Sequence, residues 1–352
     1  MSFRCSFSKY TLDFKFDAGT SRGVLRTKDS WFIKLFDEKQ ASIFGIGEAS
    51  PLIGLSLDDR PDFQTKIVEV SNLINSGRHP DEVDVDGFPT IAFALETAKA
   101  DLDNGGRRMI FKTPFFRGEQ SIEINGLVWM GDEEFMSRQV EEKISQGYKC
   151  IKIKIGALDF AKECEMLRKI RFEYSRDEIE IRVDANGAFS AKDALDKLNK
   201  LAEFDLHSIE QPIKPGRRKE MGDLIERSPV PIAFDEELIG IHSSEKKEEL
   251  LESLQPHYII LKPTLLGGMG ATKEWIDIAE RHNIGWWITS ALESNIGLNA
   301  IAQFSTTLDL KMPQGLGTGQ LFHNNIPSPL VINTGRLIYL PDLEWDVGRL
   351  NF

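Results

Sequence analysis

The chain has 352 residues, 41% of them apolar and 28% charged, the make-up of an ordinary globular protein and more chain than one hydrophobic core usually organises. Its formal net charge of −12 argues against nucleic acid or an anionic membrane as the main partner, and leaves room for a small anionic substrate at a local cationic site. The three cysteines, Cys5, Cys150 and Cys164, have no metal-ligand spacing and read as reduced thiols; the N-terminus has no signal-like apolar region and no uninterrupted apolar run reaches about 18 residues, so a cytoplasmic protein is expected. Neither monomer nor homo-oligomer is favoured by the sequence.

The first hundred residues read as strands followed by helices. YTLDFKF (10–16) and SWFIKLF (30–36) alternate as antiparallel strands do, and FGIGEASPL adds a third short strand and a loop. DFQTKIVEVSNLINSG and TIAFALETAKADLDNGG have helical periodicity, and each stops at glycine. Together they predict an α+β unit.

From INGLVWMG (124–131) the rhythm changes to short apolar strands alternating with amphipathic helices. Strands are predicted near 124–130, 149–155, 179–184, 206–210, 231–235, 258–262 and 285–290, with a weaker one near 313–316. Eight such units of about 25–30 residues suggest an α/β fold with a parallel barrel, ahead of a doubly wound open sheet. The end, PLVINTGRLIYLPDLEWDVGRLNF, looks like a final strand and a tail returning to the first unit. SSEKKEELLES reads as a solvated helix face, and the glycines of LLGGMG and GLGTG as barrel loops rather than phosphate loops, because neither opens a βαβ unit.

Parity assigns the faces. In KCIKIKIG, Ile151, Ile153 and Ile155 share one side and Lys152 and Lys154 the other. The same rule sets Arg182 and Asp184 against Ile181 and Val183, Ser208 with Glu210, Asp235 against Phe234, and Lys262 against Leu261. In a barrel the apolar face packs on helices, and the other face lines the interior, whose C-terminal end is the mouth of the active site. Lys152, Lys154, Asp184, Glu210, Asp235 and Lys262 therefore converge. The steps from Lys154 to Asp184, Glu210, Asp235 and Lys262 are 30, 26, 25 and 27 residues, one βα unit each. Three carboxylates in one cavity repel unless a cation holds them, and an all-oxygen set favours a hard ion, Mg²⁺ or Mn²⁺. Lysines on both sides of such an ion suit abstraction of a proton α to a carboxylate. A lysine base must be neutral to act, and burial and neighbouring cations bring its pKa from about 10.4 toward roughly 7–8. Arg182 and Asn186 also fall on the pocket side, with barrel filling or loop structure as the alternative. Ser290, Ala291 and Glu293, after the seventh strand, either position a substrate carboxylate or cap a helix. Glu236, of opposite parity to Asp235, is either a partner of the site or a surface residue.

KIK, DANG, IEQP, FDEE and LKPTLLGG, in this order, resemble the enolase superfamily, in its muconate-lactonizing subgroup with paired lysines. The resemblance covers nearly the whole chain. It implies a modified TIM barrel of (β/α)7β form at 119–324, with an N-terminal α+β capping domain at 1–118 to which 325–352 returns. It implies metal ligation by Asp184, Glu210 and Asp235, an acid/base pair in Lys154 and Lys262, and support of Lys154 by Lys152. INGLVWMG, GEASPLIGLS and TSALESNIGLNAIAQF further resemble the o-succinylbenzoate synthase family of menaquinone biosynthesis. That likeness implies syn dehydration of 2-succinyl-6-hydroxy-2,4-cyclohexadiene-1-carboxylate, with Lys154 removing the α-proton and helping the hydroxyl to leave while Lys262 stays charged. Arg22 and Arg26 lie where the family's specificity loops fall and could meet the succinyl carboxylate; for either alone an ordinary surface role is the commoner reading. Racemisation of N-acyl amino acids, dipeptide epimerisation and muconate cycloisomerisation use the same lysines. QGLGTGQLF has no acid of the kind dipeptide epimerases of the family place there for an ammonium. A non-catalytic, metal-stabilised binding barrel would need no lysines on both sides.

Overall fold

The computed structural model describes residues 2–20 and 23–352. β1 (Phe3–Thr20) and β2 (Gly23–Asp37) pair antiparallel, with one register shift between Asp13 and Ala18, and β3 (Phe44–Ala49) pairs with the other edge of β2. The buried face of this sheet, including Phe3, Cys5, Ile33 and Leu35, packs on α1 (Phe63–Asn75) and α2 (Pro89–Asp103) through Ile67, Val70, Ile91 and Ala98. The glycines of FGIGEA have a packing reason. A Cβ on Gly47 would stand 1.8 Å from the Ala94 carbonyl oxygen, and one on Gly45 equally close to that of Ala98, so α2 lies directly on the backbone of β3.

After β4 (Ile122–Glu123) the chain enters a seven-stranded parallel sheet in sequential order: β5 (Gly126–Val128), β6 (Cys150–Lys154), β7 (Glu180–Asp184), β8 (Ser208–Glu210), β9 (Ile232–Phe234), β10 (Tyr258–Leu261) and β11 (Gly285–Ile288). The connecting helices are α3 (Glu133–Ser145), α4 (Phe160–Glu173), α5 (Ala194–Leu201), α6 (Arg218–Arg227), α7 (Ser244–Leu254), the short α8 (Pro263–Leu266) and α9 (Met269–Arg281). α10 (Asn295–Ser305) follows β11.

The eighth strand is reduced to two bridges. Gln314 pairs with Ile124 and Gly315 with Thr289, both parallel, which joins the first unit of the sheet to the last. The sheet thus curls into a barrel rather than remaining open. Gly315 is required by the closeness of this join, since a Cβ there would lie 2.2 Å from Thr289 Oγ1. The tail forms a hairpin of β12 (Leu330–Asn333) and β13 (Arg336–Tyr339), and β13 pairs with β4. Only beyond it do Trp345, Val347 and Leu350 reach the first sheet, at Phe32 and Ile46.

Outward residues Ile153, Val183, Ile209, Phe234 and Leu261 form one core with Val140, Leu167, Leu198, Leu251 and Ile276 of the helices. Inward residues Ala233, Ile260 and Trp287 fill the lower barrel with Tyr258 and Met312. Among the described residues no helix is long and apolar enough to cross a membrane. All three cysteines are buried free thiols.

Two outcomes follow. Gly47→Ala should lower the free energy of unfolding in urea by about 3 kcal/mol, the upper end of ordinary overpacking costs, because backbone must move to admit the methyl. His207 stacks on Tyr258, ring centroids 4.7 Å apart, and burial pulls its imidazole from 6.5 down to about 4. A base depressed on folding adds stability above its unfolded pKa and loses it as pH falls through the folded one. The melting temperature should therefore drop between pH 6.5 and 4, and His207→Phe, which keeps the stacking, should flatten part of that drop.

Candidate active site

Parallel pairing brings the ionisable groups level at the C-terminal ends of the strands. Lys154 of β6 is paired with Asp184 of β7, and Asp184 with Glu210 of β8. Glu210 is paired with Ala233 of β9, so Asp235 lies two residues further up. Lys262 directly follows β10 and is the N-cap of α8. All three carboxylates are buried, and the three lysine side chains are about one-eighth exposed.

The ammonium groups sit between the carboxylates. Lys152 Nζ lies 3.0 Å from Asp184 Oδ2 and also donates to Glu210 Oε2. Lys154 Nζ donates to Asp184 Oδ2 at 3.1 Å and to Asn186 Oδ1 at 2.7 Å. Lys262 Nζ donates to Asp235 Oδ1 at 2.6 Å. Burial opposes the charge on Asp184, but Lys152 and Lys154 overcome it and hold the carboxyl well below its usual range. Burial likewise disfavours the Lys152 ammonium, and Asp184, Glu210 and Asp235 together hold it as a firm cation. Glu210 is pushed up, first by burial and then by Asp184 and Asp235.

Backbone conformation supports this layout. Asn186 and Gln211, just beyond Asp184 and Glu210, have φ of +43° and +39°, the left-handed region uncommon for residues other than glycine and concentrated at sites where structure over-determines the chain. The Asn186 N–H donates to Asp184 Oδ1 at 2.9 Å. Gln211 Oε1 accepts from the N–H groups of Asp235 and Glu237 at 3.4 and 3.3 Å, and so shapes the turn that carries Asp235. Gln211 was not singled out from the sequence, because its parity points it away from the pocket; it acts through backbone.

A cavity of about 370 Å³ opens above the charged groups. Lys152, Lys154, Asp184, Asn186, Lys262 and Ser290 line it. The other side is largely apolar, with Phe16 and Leu52 from the N-terminal sheet and its loop, Trp129 after β5, Phe135 of α3, and Leu321, although Glu142 and Lys143 of α3 also line the cavity. None of these apolar residues stands out singly in the sequence, although Leu52 and Trp129 fall within GEASPLIGLS and INGLVWMG, since single hydrophobic side chains carry no chemical signature.

The remaining expectations divide. Asn186 reaches the pocket, and its Nδ2 donates to Glu236 Oε1 at 3.0 Å, which makes Glu236 a partner of the site rather than a surface residue. Ser290 reaches it too, with its Oγ 2.5 Å from Thr318 Oγ1. Arg182 does not. It is two residues, one inward layer, below Asp184, where it bonds Glu180 Oε1 at 2.7 Å and Pro313 O at 2.9 Å and lies over the Trp287 ring. Glu293 does not either, because it turns back into the protein to accept from Thr264 Oγ1 and, at 2.7 Å, from the Ala291 N–H. Arg26 pairs with Asp17 at 2.9 Å on the exposed hairpin, and Arg22 lies outside the described residues.

As arranged, no three acidic, imidazole or thiol groups among the described residues stand close enough to hold a metal ion, because lysine ammoniums lie between the acids. The donor set nevertheless fits a hard cation. Three carboxylates end three adjacent strands, and Glu210 Oε1 is a buried acceptor that no donor satisfies.

A barrel bearing such acids and lysines at the ends of successive strands defines a class. The chain belongs to the enolase superfamily: residues 136–343 match the family described as Enolase C-terminal domain-like. Members of that superfamily are divalent-metal-dependent enzymes. More particularly, the chain is 44% identical to o-succinylbenzoate synthase from Desulfotalea psychrophila, over 94% of this chain and 98% of that protein. The crystal structure of MenC from that organism superposes with a TM-score of 0.85 at 41% identity, covering 96% of this chain and 99% of the other. A muconate lactonizing enzyme from Pseudomonas fluorescens, 22% identical with a TM-score of 0.80 over 99% of this chain and 98% of that one, shares the fold.

Lys152→Met should leave Asp184 and Glu210 without their shared cation and cost about 3–5 kcal/mol of stability in EDTA, read by urea unfolding. Added Mg²⁺ should raise the melting temperature of this variant more than that of the wild type; an equal rise would show that Lys152 and the ion do not serve the same acids.

Proposed function

We propose that the chain is an o-succinylbenzoate synthase, a lyase that dehydrates 2-succinyl-6-hydroxy-2,4-cyclohexadiene-1-carboxylate to o-succinylbenzoate. The observation that carries the chemistry is the placement of Lys154 and Lys262 on strands four apart, flanking three carboxylates. The likeness to o-succinylbenzoate synthases supports the substrate.

On this reading Asp184, Glu210 and Asp235 hold Mg²⁺, the hard ion that an all-oxygen set prefers, with Mn²⁺ as the substitute. The ion, when bound, stabilises negative charge developing on the substrate's ring carboxylate. Lys154 Nζ, neutral at that moment, takes the proton from the carbon α to the carboxylate. The electrons of the broken C–H bond move first onto the carboxylate, giving an enediolate, and then return to form the new ring carbon–carbon double bond as the C–OH bond breaks. The proton returns from Lys154 to the departing hydroxyl on the same face and leaves as water, so no oxidant or reductant is needed. Lys262 keeps its charge on the opposite face and stabilises the carboxylate-derived dianion. Lys152, held as a cation by the three acids, lies beside Lys154. Asn186 Oδ1 fixes the direction of the Lys154 amine. The capping unit, 1–118 with the returning tail, closes the apolar side.

A dipeptide epimerase is disfavoured by the segment beside the last strand. Gln314 to Thr318 carries no acid for a substrate ammonium, and the Gln314 amide is already engaged, its Oε1 accepting from the Ile288 N–H of β11 at 2.7 Å and its Nε2 donating locally to the Met312 carbonyl at 2.5 Å.

Purified protein with Mg²⁺ should consume the cyclohexadiene's absorbance and yield o-succinylbenzoate. EDTA should abolish turnover and Mg²⁺ restore it. Lys154→Ala should lower kcat by at least about 10³-fold with the fold intact, within the range for loss of a positioned base. Turnover retained by Lys154→Ala would remove this residue from the role of base, and no turnover by metal-loaded wild type would overturn the substrate.

A further inference from the structure

The seam of the barrel has a feature that the chemistry above does not use. Only Gln314 and Gly315 stand in for an eighth strand, and past them the chain turns into the short helical turn Thr318–Gln320. The backbone of β5 above Val128 therefore has no eighth barrel strand beside it. Gln139, facing it from α3, takes that place: its Oε1 accepts from the Trp129 N–H at 3.0 Å and its Nε2 donates to the Trp129 carbonyl at 3.1 Å. One side-chain amide thus supplies both bonds that a neighbouring strand would make.

The N-terminal hairpin holds the same point from outside. Gly19 bridges Met130, so closely that a Cβ would lie 2.8 Å from the Met130 carbonyl oxygen. The rings of Phe14 and Phe16 meet the Trp129 indole edge-on, with centroids 6.4 and 5.7 Å away. Lys15 N–H donates to Leu321 O at 2.9 Å. Trp129 is buried, yet lines the cavity with Phe16, Leu127, Phe135 and Leu321.

Strand order gives this wall its meaning. In an eight-position barrel the seam faces the fourth strand, β8, which carries Glu210. Lys154 and Lys262 lie on the flanks between. A substrate whose carboxylate is drawn to the cation that the three acids would hold, with a lysine above each face, turns its remaining body toward the seam. We propose that Trp129 is the specificity-determining residue for the apolar carbocycle of the substrate, and that Gln139 is a positioning residue that holds Trp129 there in place of the missing strand. The inference rests on the synthase reading.

The test compares steady-state kinetics on the cyclohexadiene, competitive inhibition by o-succinylbenzoate, and melting temperature. Trp129→Leu should raise KM and the inhibition constant of o-succinylbenzoate at least about tenfold, with kcat within about threefold, as expected for lost apolar contact in a binding pocket. Trp129→Phe should recover most of that loss, and Gln139→Met should shift KM in the same direction. If Trp129→Leu and Gln139→Met lower only the melting temperature and leave KM and the inhibition constant within about twofold, the role is structural and the inference fails while the synthase reading stands. Failure of the wild type to turn over the cyclohexadiene overturns both.

Discussion

Six ionisable side chains crowd the mouth of one barrel, and the rest of the molecule is organised around keeping them there. Three carboxylates alone would repel one another in so dry a site, and three ammoniums would do the same. Interleaved, they cancel formally, and the ladder makes interleaving automatic because Lys154, Asp184 and Glu210 stand level on consecutive strands. The cancellation is incomplete at Glu210, whose Oε1 has no donor and whose carboxyl is raised by burial. With Lys154 neutral as the base, a divalent cation there would leave an excess of one positive charge, which the carboxylate of the substrate would offset. Cation and substrate thus complete one another, and neither suits the pocket as well alone.

The N-terminal unit is attached by carboxylates of its own. Glu48 of β3 accepts from the Ser294 N–H and the Gly297 N–H, both at 2.9 Å, at the start of α10. Glu96 of α2 accepts from the Met269 N–H at 2.6 Å and the Gly270 N–H at 3.1 Å, at the start of α9. Helix N-termini present unpaired N–H groups and favour negative charge, so each acid satisfies a barrel helix while fixing the cap above the mouth. Lys28, completely buried and with its ammonium disfavoured by that burial, lies in the field of Glu48 and Glu293. Glu293 joins Thr264, two residues beyond Lys262, to Ala291 in the cavity wall. The acid that looked like a substrate contact is therefore a strut between the lysine loop and that wall.

The sequence revealed the charged half of the site and left the apolar half dark, and the reason is physical. Inward charges on strands are costly unless they have a purpose, so KIK and the acids at one-unit spacing announce themselves, and alternation assigns their face. Parity reports the face but not the height along the barrel, which is why Arg182, on the correct face, is buried one layer below the pocket against Trp287. The strands themselves were legible from apolar runs and the helices from their period, whereas the eighth strand shrank to two bridges because Gly315 is chosen for closeness to Thr289 rather than for strand formation. Trp129 and Gln139 left no trace: a tryptophan after a strand and a glutamine on a helix are common, and their joint role exists only because a strand is missing beside them.

That asymmetry bears on how one barrel serves several reactions. Dehydration, racemisation, epimerisation and lactonisation can all begin from a carboxylate held by a cation on the acids and reached by lysines on two faces, so the charged strands distinguish little among them. Distinction has to come from the parts around the seam and under the cap, where side chains are free to change without disturbing the ion pairs. Here that region offers aromatic and leucine surface and, at Gln314, an amide whose oxygen is engaged with β11 and whose nitrogen is engaged with the neighbouring Met312 carbonyl. A substrate ammonium would find no acid in Gln314–Thr318 to replace its water, and burial of an unpaired cation costs several kcal/mol. A carbocycle would find apolar surface on the side its carboxylate leaves free. The largely apolar wall thus selects among substrates that the charged strands would accept alike.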